Sequence, residues 1–341
     1  MIAPPEGKPR HALVTGATGQ VGSHVVERLL AEGWQLRALV RDPSRAGALA
    51  TQGVMLESGD VLDPVSFARA ARGCEVIVHA AAVITPRGGW EAFRRVNLDG
   101  TGAAIAAAER SGATLVHVSS VAVYGGSARY EPGGRTTEST PFQPLPPSAF
   151  YARSKRDSEA MVMEAHAAGR IRATALRPSV VYGRRDRQFV PRIGRLLSRG
   201  IAPLIGGGQS TLAIVHAANV ADGIVRAATH PAAAGEAFNL AHDHDVTVER
   251  FFRLAAAGMG QRLRLVRVPL WVAQGSLAIV RTALKGSGGR FSVISNSAQL
   301  EFITRDNPFD SAKARAVLGW NPAVVPEMGV PDAFQWWRRH R

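Results

Sequence analysis

The 341-residue chain contains a single cysteine, Cys74, and only four lysines. One cysteine can neither form an intramolecular disulfide nor build a thiolate cage around a metal ion. The ten histidines show no ligand spacing with cysteine or carboxylates, so we expect no metal. Residues 1–10 lack the apolar h-region of a secretory signal. We therefore expect a protein that works in a reducing cytoplasm.

Acidic residues are fewer than basic ones, 27 against 41, which gives a formal net charge of +14. Such a charge suits nucleic acid or an anionic membrane surface as a partner. The arginines are scattered, however, and the aromatic content is only 6%, so we interpret them as solvated surface and expect no nucleic-acid partner. The densest run, residues 184–187 (RRDR), is interpreted as an exposed loop, with a grip on an acidic substrate group as the alternative.

Apolar strand-like runs alternate with helical periodicity in the first half of the chain. The alternation predicts an α/β fold with a doubly wound parallel sheet. After Ala12-Leu13-Val14, the predicted strands are Leu36 to Val40, Val54 to Leu56, Val76 to His79, Leu115 to Val118 and Ile171 to Leu176, and the predicted helices are Val21 to Ala31, Val65 to Ala71, Glu91 to Ser111 and Ser148 to Ala168.

A glycine turn separates the first strand from the first helix, where residues 15–22 read TGATGQVG. Gly16 suits a tight turn, Gly19 lets the backbone approach a pyrophosphate, and Gly22 permits close packing of helix on strand. Glycine turns also occur where nothing binds. Placement between strand and helix favours a dinucleotide site at the helix N-terminus.

The alternation of strands and helices breaks after Pro178, so we expect a dinucleotide-binding domain over residues 1–180 and a smaller, mainly substrate-binding domain over 181–341. Residues 212–240 should partly return to the main sheet, through the runs Leu212 to Val215 and Ala237 to Leu240. Residues 131–147 are predicted to form a long loop. Asp310 should cap a helix over 311–318 that Gly319 terminates.

A nearly uncharged stretch in the second half, Pro269 to Leu284, places Leu270, Ala273, Leu277, Val280 and Leu284 on one helical stripe. The stretch is too short to span a bilayer. We favour a helix packed on the second domain, with a lid over an apolar substrate and a helix on a membrane surface as alternatives.

Tyr151 and Lys155 are four residues apart in a predicted helix and therefore share one face. At roughly 4 Å and an effective dielectric near 20, a phenolate and an ammonium attract by about 4 kcal/mol. That attraction predicts a Tyr151 pKa lowered from its usual value toward neutrality, and such a phenol can act as an acid or base. A lone Tyr-x-x-x-Lys more often marks a half-exposed helix face, so the accompanying motifs matter.

Together these motifs resemble the extended short-chain dehydrogenase/reductase family, in its NAD-dependent epimerase/dehydratase-like group. The resemblance covers nearly the whole chain and implies a Rossmann fold with a smaller C-terminal α/β substrate-binding domain. The second half is most similar to the branch with 3-beta-hydroxysteroid dehydrogenases and dihydroflavonol reductases. The matching segments are SSVAVYG at 119–125, GDVLD at 59–63, HAAA at 79–82, VNLDGT at 96–101 and RPSVVYG at 177–183.

The resemblance implies a role for each site residue. Ser120 would hydrogen-bond the substrate oxygen, Tyr151 would exchange its proton, and Lys155 would bind the nicotinamide ribose. Asp60 would contact the adenine, with capping of the next turn as the alternative, and Ser120 would otherwise only end a strand. The cofactor-binding candidates are Gly16, Thr18, Gly19, Gln20, Val21, Gly22, Arg41, Asp60, Val61, Ala80, Ala81, Ala82, Asn97, Tyr151, Lys155, Pro178 and Val180.

The end of the second strand bears on the choice of cofactor. A carboxylate there would accept the ribose hydroxyls of NAD, but Val40 occupies the expected position and Arg41 follows it. A guanidinium suits the 2′-phosphate of NADP. We therefore expect NADP in preference to NAD. NAD remains the alternative, because the carboxylate of the neighbouring Asp42 could accept its ribose hydroxyls.

The expected activity is hydride transfer between nicotinamide and a secondary alcohol or ketone of a sterol-, lipid- or flavonoid-like small molecule. Nucleotide-sugar enzymes of the family usually carry Asn where Ser179 stands and Arg-Asp where Leu212-Ala213 stand. One alternative is nevertheless a nucleotide-sugar epimerase or dehydratase. A second is a non-catalytic dinucleotide-sensing protein on the same fold. A homodimer is compatible with the sequence.

Overall fold

The computed structural model describes residues 9–85, 88–126, 135–275 and 297–341. The strands in these ranges are β1 (His11–Thr15), β2 (Gln35–Val40), β3 (Met55–Ser58), β4 (Val76–His79), β5 (Thr114–Val118), β6 (Ala173–Pro178), β7 (Val180–Tyr182), β8 (Ile201–Ile205), β9 (Ile214–His216), β10 (Ala237–Leu240) and β11 (Arg264–Val268). The helices are α1 (Gln20–Ala31), α2 (Gly47–Ala50), α3 (Pro64–Ala71), α4 (Gly89–Phe93), α5 (Gly100–Ser111), α6 (Phe150–Ala167), α7 (Phe189–Leu197), α8 (Ala217–Thr229), α9 (Val248–Gly258), α10 (Ser297–Thr304), α11 (Ala312–Leu318) and α12 (Pro326–His340).

Seven strands form one parallel sheet in the order β10-β6-β5-β4-β1-β2-β3. The central strands are buried on both faces, which explains their continuous apolar sequence. Helices α1 and α8 pack on one face, and α3, α5 and α6 on the other. The predicted doubly wound α/β (Rossmann) fold is therefore confirmed. Because the strand order reverses beside β1, the carboxyl ends of β1 and β4 border a crevice.

The two predicted returns to the main sheet have different outcomes. Ala237–Leu240 is β10, which pairs with β6 at the edge of the seven-stranded sheet, as expected. The expectation for Leu212 to Val215 is wrong, because β9 pairs with β7 in a separate two-stranded sheet. An apolar run fits either sheet. The pairing is decided by β7, which follows β6 almost directly and offers β9 an edge away from the main sheet.

A separate apolar cluster holds the C-terminal elements together. It joins α7, α9 and α12 to β8, which pairs with β11 in a second two-stranded sheet. Phe251 lies at its centre, with ring centroids 5.9 Å from Phe334 and 5.7 Å from Phe189. The division into domains at residue 180 stays a prediction.

The predicted helix over 91–111 changes its hydrogen bonding along its length. Between α4 and α5, residues Arg94–Asp99 form a π-helix. Asn97 lies in this segment, where its Oδ1 accepts the Val83 N–H at 2.8 Å and its Nδ2 donates to Ser154 Oγ at 2.9 Å. The π-helical turn thus ties the segment after β4 to α6, consistent with the frequent occurrence of such turns near functional sites.

The remaining predictions concern the second half of the chain. As predicted, Asp310 caps the start of α11: its Oδ1 accepts the Ala312 N–H at 2.7 Å. The helix ends at Gly319, which is left-handed.

In the apolar stripe, Ala273 is buried and Leu270 is 37% exposed. Leu277, Val280 and Leu284 lie outside the described residues, as do residues 131–134 of the predicted loop. Within the described ranges, no helix is both long and apolar enough to cross a membrane.

The contact of α7 with α12 gives a test of this packing. A Cβ on Gly194 would lie 2.2 Å from the Trp337 ring. Alanine favours a helix over glycine by about 1 kcal/mol. We nevertheless expect Gly194→Ala to lower the free energy of unfolding by about 1–3 kcal/mol, because the tryptophan or the helix must shift. Urea unfolding measures the change.

Gly102→Ala in α5 is the matched control, because the nearest atom to its new Cβ, Met161 Cε, lies at 3.6 Å. This variant should keep or raise the stability of the protein. Equal unfolding free energies for the two variants would contradict the packing described here.

Candidate active site

Backbone forms one wall of a cleft at the carboxyl end of β1. Gly16 has a positive φ of 68°, and a Cβ there would lie 2.8 Å from the Ala81 nitrogen, so the turn requires glycine. A Cβ on Gly22 would lie 2.2 Å from the Gly16 carbonyl oxygen. Helix α1 begins at Gln20 with no side-chain cap from the described residues and no acidic residue in its first turn. Its first N–H groups are therefore available to an anion.

Ser120, Tyr151 and Lys155 are among the polar residues that line the same cleft. Ser120 follows β5, its Oγ accepts the Ala122 N–H at 3.2 Å, and its interaction with the Tyr151 phenol lowers the pKa of that phenol. Lys155 lies one turn after Tyr151 on α6, and its Nζ donates to the Val118 carbonyl oxygen at 2.8 Å. The structure thus brings together the three residues that the resemblance singles out for catalysis.

The electrostatics of Tyr151 contradict the sequence-based expectation of a pKa lowered by Lys155. Burial raises the pKa of Tyr151, and the interaction with Ser120 offsets this only in part. Burial also lowers the pKa of Lys155 to about 8. The expectation counted the attraction across one helical turn and omitted desolvation, which disfavours the charged form of both groups. Near neutral pH, Tyr151 is therefore a protonated phenol that can donate its proton.

A buried charged network lies behind Lys155 on α6. Glu159 lies one turn further along the helix, and its negative charge partly offsets the lowering of the Lys155 pKa by burial. The Glu159 carboxylate accepts hydrogen bonds from Arg177, with Nε at 3.1 Å from both oxygens. Arg177 Nη1 also donates to the Tyr124 hydroxyl at 2.7 Å, and that hydroxyl donates to Asn239 Oδ1 at 2.8 Å. The network therefore links the helix of Lys155 to β10.

Two buried histidines add no positive charge to this region. His79 and His117 stack with ring centroids 6.0 Å apart. Burial, and secondarily the charge of Lys155, lower the pKa of His79 to about 3 and that of His117 well below its usual value. His79 Nδ1 is hydrogen-bonded to Thr15 Oγ1 at 2.9 Å. Both rings are thus neutral packing partners between neighbouring strands.

The cleft has a volume of about 610 Å³, in the range of small-molecule and cofactor sites. Gln20 Nε2, on its wall, is buried without a hydrogen-bond partner among the described residues. This donor and the glycine turn suit the phosphates of a dinucleotide. Of the predicted site residues, those lining the cleft are Gly16, Gly19, Gln20, Val21, Gly22, Ala80, Ala82, Ser120, Tyr151, Lys155, Pro178 and Val180.

Three of the other predicted residues have identifiable contacts within the protein. Asn97 is buried and binds Val83 and Ser154, so its polar atoms are occupied. The Ala81 N–H donates to Thr15 Oγ1 at 3.3 Å. Asp60 Oδ1 accepts the Leu62 N–H at 3.0 Å, which is the capping role considered as its alternative.

The remaining three, Thr18, Arg41 and Val61, also lie outside the cleft lining. Thr18 is exposed in the glycine turn. Arg41 follows β2, and Val61 lies beyond the end of β3. Because these strands are parallel to β1, both residues lie at the same edge of the sheet as the cleft.

Several cleft residues were not assigned from the sequence. Apolar ones include Ile84, Val121, Val181 and Phe189, and the charged ones are Arg185, Asp186 and Arg187. The charged run was recognised only as a loop with an alternative role in substrate binding. Ile84, Val121 and Val181 follow the carboxyl ends of β4, β5 and β6, which is the signal that could have found them. The other four residues come after β7.

Comparisons with known proteins agree with this geometry. The model of the NAD-dependent epimerase/dehydratase family matches residues 12–241. A 4-hydroxy-2-methyl-3-oxo-4-farnesyl-3,4-dihydroquinoline-1-oxide ketoreductase of Stigmatella aurantiaca is 27% identical over 94% of this chain and 95% of its own length. A 2-alkyl-3-oxoalkanoate reductase of Shewanella oneidensis is 28% identical over 95% of this chain and 85% of its own length.

Among solved structures, the crystal structure of gox2253 is similar, with a TM-score of 0.77 and 27% identity, and it covers 96% of this chain and 98% of its own. The family match spans the glycine turn, the Tyr151–Lys155 pair and β10. The chain therefore belongs to the NAD-dependent epimerase/dehydratase family.

Proposed function

We propose that the protein is an NAD(P)-dependent oxidoreductase that interconverts a ketone and a secondary alcohol on a hydrophobic substrate. One observation carries the proposal: Ser120, Tyr151 and Lys155 line the same cleft as the glycine turn. The reductase names of the two curated relatives support it, since both act on oxo compounds. A cytoplasmic location and a homodimer stay predictions from the sequence.

The dinucleotide would be held by groups that the cleft already presents. The first N–H groups of α1 and the Gln20 amide would bind the pyrophosphate. Lys155 donates one hydrogen bond to Val118 and keeps two N–H groups for the ribose hydroxyls of the nicotinamide. When bound, the reduced nicotinamide supplies the hydride.

Proton transfer would be the task of Tyr151. In the reducing direction its phenol gives a proton to the ketone oxygen, while the Ser120 hydroxyl donates a hydrogen bond that holds this oxygen. The positive charge of Lys155 then stabilises the phenolate that remains. The raised pKa of Tyr151 keeps the proton in place until the substrate arrives.

The cleft also offers apolar surface to a ligand. Apolar side chains of Ile84, Val121, Val180, Val181 and Phe189 line it, and Ile84 and Val180 are 47% and 37% exposed. Covering such side chains with an apolar ligand stabilises the complex. This lining supports a lipid-, sterol- or flavonoid-like body for the substrate.

We further propose a preference for NADP over NAD. The rival carboxylate, Asp42, accepts hydrogen bonds from the Ser44 N–H at 3.0 Å and the Ser44 hydroxyl at 2.6 Å, as the cap of a short helix. Arg41 is exposed and has no hydrogen bond or ion pair with any described residue. A guanidinium in this position can bind a 2′-phosphate in bidentate fashion.

Replacing Tyr151 by Phe tests the catalytic assignment. The variant lacks the proton donor, so kcat for ketone reduction should fall by at least about 100-fold. The Kd for NADPH should stay within about twofold, because the ring remains in place. Loss of reduced-nicotinamide absorbance and fluorescence titration measure the two quantities. Unchanged turnover would remove Tyr151 from the mechanism, whereas a tightly retained cofactor without net use of NADPH would indicate an epimerase instead.

The Arg41→Ala variant tests the cofactor preference. Loss of a charged hydrogen-bond donor should raise KM for NADPH by about 10-fold or more. NADH lacks the 2′-phosphate and provides the internal control, so its KM should change by less than about twofold. Steady-state kinetics measure both values. If the variant changes KM for NADPH and KM for NADH by the same factor, Arg41 does not select between the two cofactors.

The pKa of Lys155 predicts the pH dependence of reduction. Lys155 is charged below about pH 8 and neutral above it. We expect kcat/KM, which reports the free enzyme, to be level below this pH and to decline above it, because the phenolate of Tyr151 loses its stabilising charge. Lys155→Arg keeps the charge and should move the decline to higher pH, whatever its absolute rate. A wild-type kcat/KM that stays level well above pH 8 would contradict this role for the charge of Lys155.

A further inference from the structure

The cleft is lined by more positive than negative side chains. Its charged residues are Lys155, Arg185, Asp186 and Arg187. Lys155 has a place in the mechanism proposed above. The other three belong to one loop between β7 and α7, where each has different surroundings.

Two of these three loop residues already have partners within the protein. Arg185 Nη1 donates to Ser23 Oγ at 3.0 Å, and its Nη2 is paired with the Glu27 carboxylate on α1. Asp186 is buried, and its carboxylate accepts the N–H groups of residues 188–190 at 2.7–3.1 Å, which closes the N-terminus of α7. Arg184, just before them, is paired with Asp332.

Arg187 differs from its neighbours. It is exposed at the cleft and has no hydrogen bond or ion pair with any residue in the described part of the chain. Its position is set by the backbone on either side: Arg185 adopts a left-handed φ of 64°, and Asp186 anchors the following turn to α7. The guanidinium is therefore presented by a fixed loop rather than by a free chain end.

The surroundings of Arg187 determine which ligand it can accept. The apolar side chains of Val180, Val181 and Phe189 line the same cleft. A purely apolar ligand would take water from the guanidinium and give it no partner, which is costly. A ligand with an apolar body and one anionic group would instead satisfy both, through charge-assisted hydrogen bonds.

We infer that Arg187 binds the carboxylate of the substrate and that the protein acts on oxo acids or hydroxy acids with a hydrophobic chain. The inference rests on the proposed oxidoreductase function and adds the chemical class of its substrate. Arg187 determines specificity in this scheme, and proton transfer stays with Tyr151.

The test compares medium-chain oxo acids, with the ketone at the third or fourth carbon, with their own methyl esters. With NADPH, the wild-type protein should reduce at least one acid with a kcat/KM about 10-fold or more above that of its ester. Arg187→Gln should lower kcat/KM for that acid by about 10- to 100-fold and leave the ester within about twofold. Arg187→Lys should retain part of the preference, since it keeps the charge and loses the planar fork.

Arg195→Gln is the matched control, because Arg195 is an exposed arginine on α7 that does not line the cleft. It should change neither reaction. A second readout is calorimetric binding of the hydroxy acid and of its methyl ester to the protein saturated with NADP. The acid should bind more tightly to wild type, and this advantage should disappear in Arg187→Gln.

The outcomes separate the inference from the proposed function. The role of Arg187 would be overturned if Arg187→Gln lowered kcat/KM equally for acid and ester, or if the wild-type protein reduced the ester with the same kcat/KM as the acid. The oxidoreductase proposal would stand in both cases. A weaker Kd for NADPH with an unchanged preference for acids would assign Arg187 to the cofactor phosphates and also overturn it. If wild type reduces no ketone, the oxidoreductase proposal fails, and the calorimetric comparison still decides whether Arg187 binds a carboxylate.

Discussion

A positively charged ammonium held inside the protein is the constraint on which the site depends. Lys155 is buried, and removing an ion from water costs several kcal/mol unless other groups compensate. The Val118 carbonyl and the negative charge of Glu159 supply that compensation. Arg177 in turn holds Glu159 in place. The nearby histidines are neutral and therefore do not repel the ammonium. The buried polar groups around α6 thus stabilise, directly or through Glu159, the charged form of Lys155.

Local features of the site could be predicted from the sequence. The glycine turn depends on steric limits within a few residues, and the shared face of Tyr151 and Lys155 depends only on the helical repeat. The pKa of Tyr151 could not be predicted this way. Its direction depends on how completely the rest of the fold excludes water from the phenol, which the four-residue spacing does not encode.

Non-local features required the structure for the same reason. The run at 212–215 is apolar enough for either sheet, and only the position of β7 decides its partner. Asn97 was expected to bind the cofactor and Asp60 had two plausible roles, and their hydrogen bonds show where their polar atoms are directed. Arg187 could not be told from Arg184 and Arg185 in the sequence. What distinguishes it is the absence of a partner among the described residues, a property of the folded surface.

The late arrival of β10 in the sheet has a consequence for how the protein is made. Strand β6, buried at all six of its positions, is covered along one edge by a strand that emerges from the ribosome about sixty residues later. Until then its unpaired backbone can template association with another chain. A fragment ending at residue 180 would keep that open edge permanently and, with it, a tendency to aggregate.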